Sequence, residues 1–271
     1  MMTRLARNGR RVRQTLTEFD NGTSLLTDLV RHRLTGRPDE LVFGVAPDLR
    51  ITCPNVPGAR VPVYEIFAED AYRLAWFTQG LSAPVLVDIG GHIGCFSTSF
   101  ARLIPDARVN TYEASPTTYE FLRRNVEDNG LGERIRVNHL AVSDHEGGLE
   151  FADNGAGSGL NGLTAPSGST VVTVPCITFA GAVERAGGHA DVVKIDTEGA
   201  EYDIVLASDP AAWSGVSRVV LEYHEVAGHT REELFSFFEQ AGLSVVHHEP
   251  ITDALGTAWL SRTPLASPTA G

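Results

Sequence analysis

The chain has 271 residues and 42% hydrophobic content, enough to bury the core of one large domain. Its 34 acidic and 22 basic residues give a formal charge of −12, which argues against nucleic acid as the main partner because phosphate binding needs a basic face. The three cysteines are far apart and form no C-x-x-C pair, so we expect reduced thiols in a cytoplasmic protein. No apolar run reaches the ~18 residues of a membrane span, and no signal-peptide pattern follows the arginine-rich start.

Residues 1–80 have no continuous period and are predicted to form an N-terminal extension ahead of a catalytic domain that spans residues 81–271. The apolar spacing predicts helices over residues 23–34 and 65–81. Four prolines interrupt residues 41–63, which indicates loops and short edge strands. The arginines of the start are expected on a frayed tail or a solvated helix face.

From Pro84 onwards, short apolar runs alternate with helical segments. Buried strands are predicted over residues 85–89, 108–113, 135–142, 191–196 and 216–223, and two more, 243–247 and 258–261, close the chain. The glycine-rich residues 147–175 are expected to form a hairpin or flap. Strands alternating with helices indicate a parallel sheet with right-handed crossovers, so we predict a doubly wound α/β domain.

The first strand ends in a glycine-rich turn, Asp88-Ile89-Gly90-Gly91-His92-Ile93-Gly94. Glycines there allow a sharp turn and the close approach of a ligand. The spacing departs from G-x-G-x-x-G, because His92 and Cys95 stand at the second and third glycine positions, which disfavours an NAD-dependent oxidoreductase. A carboxylate at Asp88 would repel a pyrophosphate but attract a cation. S-adenosylmethionine (SAM) carries an ammonium, a sulfonium and no phosphate, and therefore fits; the alternative is a tight turn without a ligand.

Two further strand ends carry candidate cofactor contacts. Glu113 closes the second strand, where an acid holds the two hydroxyls of a ribose in such folds; a surface carboxylate is the alternative. The third strand closes on residues 139–144, where His139 and Ala141 could border an apolar slot for an adenine ring. For Ser143 and Asp144, a solvated turn is the alternative.

The fourth strand leads into Lys194-Ile195-Asp196-Thr197-Glu198-Gly199-Ala200-Glu201, which concentrates three acids and the one lysine of the chain. Ligands of open α/β sheets bind at this carboxyl edge. Acids that interact with a helix dipole would account for Glu198 and Glu201, but they would not account for Asp196 at the strand end.

The fifth strand ends in Glu222-Tyr223-His224-Glu225, and Glu222 and His224 share one face because side chains alternate along a strand. His224 or Asp196 could accept a hydroxyl proton as the catalytic base. Equally, Asp196, Glu222 and His224 could hold a divalent cation that polarises an acceptor. A structural role for His224 is the third alternative.

Taken together, these motifs resemble the FkbM-type methyltransferase family over roughly residues 84–262. The resemblance is carried, in order, by residues 87–94, 112–116, 141–144, 194–201 and 221–224. It implies a Rossmann-like class I methyltransferase fold, with a mostly parallel seven-stranded sheet and an antiparallel last strand. It also implies O-methylation, with SAM held by the 88–94 loop and Glu113. The family often has Ala-Asn where this chain has Gly91-His92.

We therefore expect SAM-dependent methylation of a hydroxyl on a small molecule of natural-product or sugar type. The predicted cofactor contacts are Asp88, Gly90, Gly91, His92, Gly94, Glu113, Ala114, His139, Ala141 and Asp196. Glu65, Phe67 and Tyr72 are expected to form a lid over cofactor and acceptor, with Glu198 close to the acceptor. The alternatives are an N-methyltransferase and a non-catalytic SAM-binding protein. A homodimer is left open, and neither nucleic acid nor a membrane is expected as a partner.

Overall fold

The computed structural model of the chain describes residues 4–46, 48–158, 161–162 and 170–268. The first part contains α1 (Arg4–Glu18), α2 (Gly22–Thr35), β1 (Glu40–Ala46), β2 (Leu49–Pro54), α3 (Pro57–Phe67) and α4 (Leu74–Phe77). The next contains β3 (Val85–Ile89), α5 (Cys95–Leu103), β4 (Arg108–Glu113), α6 (Pro116–Asp128), β5 (Ile135–His139), β6 (Ala141–Ser143), β7 (Gly147–Asp153) and β8 (Thr170–Thr178). The last contains α7 (Phe179–Arg185), β9 (Val192–Ile195), α8 (Glu201–Leu206), a 3-10 turn (Pro210–Trp213), β10 (Arg218–Tyr223), α9 (Arg231–Gln240), β11 (Ser244–Pro250) and β12 (Gly256–Ser261).

The central sheet has seven strands in the order β11-β12-β10-β9-β3-β4-β5. Strands β10, β9, β3, β4 and β5 pair in parallel, and β12 pairs antiparallel with both of its neighbours. This arrangement confirms the predicted Rossmann-like class I sheet with an antiparallel last strand. The order of the strands reverses at β3 and β9, which places a switch point, where ligands of such sheets bind, at the carboxyl ends of these two strands.

The central strands are buried on both faces, as their continuous apolar runs predict. Along β3, Leu86 packs into the core cluster on one face and Val87 packs into the cluster on the other. The helix predicted over residues 116–129 is present as α6. Ser115 caps its start, since the Ser115 hydroxyl accepts a hydrogen bond from the backbone N–H of Thr118. Gly130 follows its end with a φ of 64°.

The third predicted strand, over residues 135–142, is wrong in its extent. β5 ends at His139, and the chain then leaves the central sheet, because β6 pairs with β8 in a separate three-stranded sheet. β7 pairs antiparallel with β8 and gives the predicted hairpin, which lies above the carboxyl edge of the central sheet. Residues 159–160 and 163–169 of that segment lie outside the described residues.

The N-terminal region packs on one face of the central sheet and shares its core. Phe19 of the α1–α2 turn, Phe43 of β1 and Val63 of α3 belong to the same buried cluster as Leu86 of β3. The helix predicted over residues 23–34 is present as α2. β1 and β2 form an antiparallel hairpin, which agrees with the short strands expected over residues 41–63, but residues 57–63 belong to α3 and the prediction is wrong there.

The helix predicted over residues 65–81 is wrong. α3 begins eight residues earlier, at Pro57, and ends at Phe67, and two residues with left-handed backbone, Asp70 (φ 46°) and Arg73 (φ 49°), turn the chain before α4. Proline is well suited to the first position of a helix because its missing N–H has no partner there. In the described part of the chain, no helix combines the length and the apolar character needed to cross a bilayer.

Candidate active site

A cavity of about 380 Å³ opens at the carboxyl ends of β3, β4 and β9, and its volume lies within the ~300–1,000 Å³ of small-molecule sites. We call one set of lining residues the glycine-loop wall: Gly90, Gly91, His92, Glu113, Ala114, Leu140, Ala141, Val142, Leu149 and Phe151. We call the other set the α3 wall: Gly58, Val61, Pro62, Glu65, Ile66, Tyr72, Phe96, Asp196, Glu198 and Glu222. Most of the predicted site residues are therefore brought together around one cavity.

The glycines of the loop are required by contacts with neighbouring strands. Gly90 has φ 80°, and a Cβ there would lie 1.8 Å from the carbonyl oxygen of Asp196. A Cβ at Gly91 would lie 2.1 Å from Oγ1 of Thr111. Gly94 packs against the side chain of Leu122 and is not among the described residues that line the cavity, contrary to its predicted cofactor contact.

Asp88 was expected to present its carboxylate to a ligand, but the structure buries it completely beneath the loop. Its Oδ2 accepts hydrogen bonds from Ser97 Oγ at 2.5 Å and Thr111 Oγ1 at 3.4 Å, and its Oδ1 lies 3.5 Å from Nζ of Lys194. Asp88 is not among the described cavity-lining residues. The prediction that it contacts the cofactor is therefore corrected: Asp88 supports the loop from below.

Glu113 lies at the end of β4, where it was predicted, and lines the cavity while it is 8% exposed. Its two carboxylate oxygens accept the backbone N–H groups of Ser115 and His92, each at 2.8 Å. Burial raises the pKa of Glu113 to about 7 despite these bonds. Hydroxyl donors from a ligand would favour the ionised form further.

His92 lines the cavity with backbone in the left-handed region (φ 49°), which is uncommon for a residue with a side chain. The hydrogen bond from its N–H to Glu113 holds the loop in this conformation. Burial lowers the pKa of the imidazole to about 4, so His92 is neutral at pH 7.

The predicted adenine slot is present only in part. Ala141 lines the cavity, together with Leu140, Val142 and the flap residue Phe151. His139 is not among the described lining residues: its ring stacks on Tyr119 at 4.9 Å between centroids. The prediction that His139 borders the cofactor is corrected, because this stacking draws the ring to α6.

Lys194 connects the loop to the acidic strand ends. Its Nζ donates a hydrogen bond to the carbonyl oxygen of Gly90 at 2.6 Å and lies 3.5 Å from Asp88 and 3.4 Å from Asp196. Burial opposes the charge of the ammonium group, but Asp196 and Asp88 together raise its pKa. The buried cation is therefore matched by two carboxylates, as a buried charge must be.

Glu201 organises the turn that follows β9. Its Oε1 accepts the N–H groups of Thr197 at 2.9 Å and Gly199 at 3.2 Å, and His224 Nδ1 lies 3.0 Å away. Burial favours the neutral imidazole of His224, but the hydrogen bond and charge of Glu201 raise its pKa to about 9, so it is a cation at neutral pH. A protonated imidazole cannot act as a base, and His224 is not among the described lining residues.

Tyr72 bridges the two carboxyl groups at the centre of the α3 wall. Its hydroxyl lies 2.9 Å from Oδ2 of Asp196 and 2.9 Å from Oε2 of Glu222. A phenol has one proton to donate, so both contacts can be hydrogen bonds only when Glu222 is protonated. Burial and the charge of Asp196 raise the pKa of Glu222 to about 8, which provides that proton at neutral pH.

Asp196 is the carboxylate that stays ionised in this group. Burial opposes its charge, but Lys194, His224 and the hydrogen bond from Tyr72 together lower its pKa. The site thus combines an ionised Asp196 with a protonated Glu222, so Asp196 is the group that can accept a proton.

Comparisons with known proteins identify the family of this chain. The family model described as the methyltransferase FkbM domain matches residues 88–244, which is more than half of the chain. The chain belongs to the FkbM methyltransferase family. It is therefore a methyltransferase that uses SAM, and the predicted family is confirmed.

The similar proteins differ in how much of this chain they match. Methyltransferase sdnD of Sordaria araneosa is 26% identical over 215 residues, which cover 67% of this chain and 80% of that protein. The 4-amino-L-phenylalanine/4-methylamino-L-phenylalanine methyltransferase of Streptomyces pristinaespiralis is 36% identical over 110 residues, 39% of this chain and 37% of that protein. Among solved structures, M. jannaschii TYW2 in complex with AdoMet has a TM-score of 0.45 at 16% identity and covers 83% of this chain and 86% of that one.

The three residues predicted as metal ligands in this FkbM domain do converge. Ligand atoms of Asp196, Glu222 and His224 lie within 4.8 Å of one another. However, His224 is protonated and paired with Glu201, and the ammonium of Lys194 lies beside Asp196. These contacts leave little donor capacity for a divalent cation, and we derive no step through one.

Only some of the residues expected to form a lid or contact the acceptor line the cavity. Glu65 and Tyr72 line the cavity, and so does Glu198, whereas Phe67 packs against the core and is not among the described lining residues. The prediction for Phe67 is corrected because successive helical residues point in different directions.

Sequence reasoning missed two groups of lining residues. The first group is Gly58, Val61 and Pro62 of α3, which line the cavity. The same helix buries Ala59, Val63 and Ile66 at the spacing i, i+4, i+7, a helical signal that the prolines obscured. Leu149 and Phe151 alternate along β7 and both line the cavity, a period of two that marks one face of a strand.

Proposed function

We propose that this FkbM methyltransferase transfers a methyl group from SAM to a hydroxyl of a small molecule. The observation that carries the proposal is the ionised Asp196 on the wall of the cavity, held by Tyr72 and Lys194. A hydroxyl must lose its proton as it gains a methyl group, and a carboxylate in this position can take that proton.

In this proposal, SAM occupies the glycine-loop wall. Glu113 would accept hydrogen bonds from the ribose hydroxyls, and the apolar lining residues Leu140, Ala141, Val142 and Phe151 would hold the adenine. The peptide groups of Gly90 and Gly91 border the methionine part. Bound SAM supplies an electrophilic methyl group on a sulfonium.

The acceptor lies against the α3 wall. Tyr72 and Lys194 orient Asp196, and alignment of the hydroxyl with the donor provides much of the acceleration. Asp196 replaces His224 as the proposed base, because His224 is already protonated. His224 and Glu201 hold the turn that presents Asp196, and Glu222 stays protonated beside it.

N-methylation is the second candidate, and the relative from Streptomyces pristinaespiralis favours it, because its name gives an amino acid with an aromatic amine as substrate. A neutral amine attacks without a base in the same step, so an Asp196→Asn variant would keep most of its turnover. A non-catalytic SAM-binding protein would give no product at all.

The test is product identification. Purified protein is incubated with SAM labelled in the methyl group and with extracts of the source organism, and labelled products are located by mass spectrometry. We expect a labelled methyl ether that forms with the wild-type chain and not with Asp196→Asn. A labelled N-methyl product would contradict the proposal, and so would a protein that binds SAM but forms no labelled product.

A further inference from the structure

Glu65 is the charged residue that α3 contributes to the α3 wall. It lies among Val61, Pro62 and Ile66 of the same helix, and all four residues line the cavity. Among the described residues, none donates a hydrogen bond to the Glu65 carboxylate. The other α3 residues that line the cavity are apolar, and an acid there that receives no hydrogen bond from the described residues can take a partner from a bound molecule.

The nearby cations are engaged elsewhere. Arg11 forms an ion pair with Glu69 at 2.7 Å and lies over the ring of Tyr64 at 4.5 Å. Lys194 is held by Gly90, Asp88 and Asp196. Neither side chain forms a hydrogen bond with Glu65.

The other charges that face Glu65 are mostly negative. Burial is the largest influence on its carboxyl group, followed by the charges of Asp196, Glu69 and Glu198, and only Arg11 opposes them; together they raise the pKa of Glu65 to about 7. A cation placed beside it would lower that pKa and relieve this repulsion.

We propose that Glu65 determines acceptor specificity by binding a protonated amine of the acceptor at a point separate from the methylated hydroxyl. This inference rests on the proposed function. The acceptor class is then a small molecule with a hydroxyl, an apolar body that packs on Val61, Pro62 and Ile66, and a basic nitrogen that binds Glu65.

The position of Glu65 in the chain supports a role toward the acceptor. Glu65 lies outside residues 88–244, which match the family model, whereas Glu113 and the glycine loop lie inside that range. The contacts of the methyl donor come with the family domain. Helix α3 adds Val61, Pro62, Glu65 and Ile66 to the cavity from outside the matched range, on the side where the acceptor is proposed to bind.

The experiment measures binding without turnover. The protein is saturated with S-adenosylhomocysteine and titrated with matched pairs of hydroxylated fragments, such as tyramine and 4-ethylphenol or 4-aminocyclohexanol and cyclohexanol. Each pair differs in one amine. We expect the amine of at least one pair to bind about tenfold more tightly than its neutral partner, since a charge-assisted hydrogen bond is worth about that factor. If no amine in the panel binds more tightly than its neutral partner, the inference is wrong.

Glu65→Gln is the decisive variant and Glu69→Gln the matched control. Glu69 lies four residues further on and pairs with Arg10 and Arg11 at the surface. Glu65→Gln should bring the amine preference close to one, and Glu69→Gln should keep it. SAM affinity, measured in parallel, should change less than about threefold in both. The inference is overturned if Glu65→Gln keeps the amine preference, or if that variant alone loses SAM affinity. A wild-type chain that does not bind SAM would instead overturn the proposed function.

Discussion

The two walls of the cavity are built in different ways. The glycine-loop wall is held largely by backbone groups: Glu113 accepts the N–H groups of His92 and Ser115, and Gly90 packs against the backbone of Asp196. The α3 wall is held by side chains from distant parts of the chain, because Tyr72 reaches carboxyl groups 124 and 150 residues further on. The first wall lies within the residues that match the family model, and the second depends on the packing of the N-terminal region.

This difference predicts a separation of effects. Changes in the glycine-loop wall should alter SAM affinity and stability, whereas changes in the α3 wall should alter turnover and acceptor choice. The backbone of Tyr72 is held by β12, since Nε1 of Trp259 donates a hydrogen bond to the carbonyl oxygen of Tyr72 at 2.9 Å.

The largest effect is expected for Asp196→Asn, which removes the proposed base and keeps its shape. Turnover should fall by about 10²- to 10⁴-fold, because that is the usual contribution of a general base. SAM affinity should change by less than about tenfold, as measured by titration calorimetry. Near-normal turnover would remove Asp196 from the chemistry and favour an amine acceptor.

Gly90→Ala tests the glycine-loop wall. The new Cβ would lie 1.8 Å from the carbonyl oxygen of Asp196, at a φ of 80° that disfavours any side chain. We expect a loss of about 3 kcal/mol in the free energy of unfolding and a clear loss of SAM affinity. Gly130→Ala is a control with a similar φ (64°) but no atom within 4 Å of the added Cβ. Equal losses in the two variants would show that backbone strain alone accounts for the effect.

His224→Gln should change how stability depends on pH. The pKa of His224 is about 9 in the folded chain against 6.5 in its unperturbed state, so its protonated form stabilises the fold below pH 6.5 and this contribution is lost as pH rises through 9. The wild type should lose on the order of 2–3 kcal/mol of unfolding free energy over that range, relative to the variant. Urea unfolding at pH 6, 7.5 and 9.5 measures this, and parallel curves for the two proteins would contradict it.

Tyr72→Phe tests whether the α3 wall affects turnover without affecting SAM affinity. The variant keeps the ring, which packs edge-on against Phe96 at 5.2 Å, and removes the hydroxyl that bridges Asp196 and Glu222. Turnover should fall by about tenfold, while SAM affinity stays within about twofold of wild type. A large loss of SAM affinity would show that the two walls are not independent.

Removal of metal should have the smallest effect. Because Lys194 and the protonated His224 already neutralise the acids of the site, EDTA should leave turnover unchanged. Activity that is lost with EDTA and restored by magnesium or manganese would assign a cation to Asp196, Glu222 and His224.

The sequence predicts the glycine-loop wall better than the α3 wall, for physical reasons. A buried strand followed by glycines and an acid at the next strand end are local patterns, and they located Gly90 and Glu113 at the cavity. The same patterns could not show which way a side chain points: Asp88 lies under the loop, and His139 stacks on Tyr119. The N-terminal region was harder to predict, because the helical spacing of α3 is interrupted by Pro62.

The protonation of the site could not be read from the sequence either. His224 is a reasonable base when it is considered alone, and it becomes a cation only through its contact with Glu201, 23 residues earlier. Which of several acids keeps its charge depends on distances to Lys194 and Tyr72, and these distances are set by the fold.

Titration calorimetry with SAM and with NAD tests most directly whether the glycine-loop wall binds SAM. For the wild-type chain we expect one SAM bound per chain and no measurable heat with NAD. Glu113→Ala should weaken SAM binding by about tenfold or more, because it removes the proposed acceptor of the ribose hydroxyls. Binding of NAD in preference to SAM, or equal SAM affinity in the wild type and Glu113→Ala, would contradict the account.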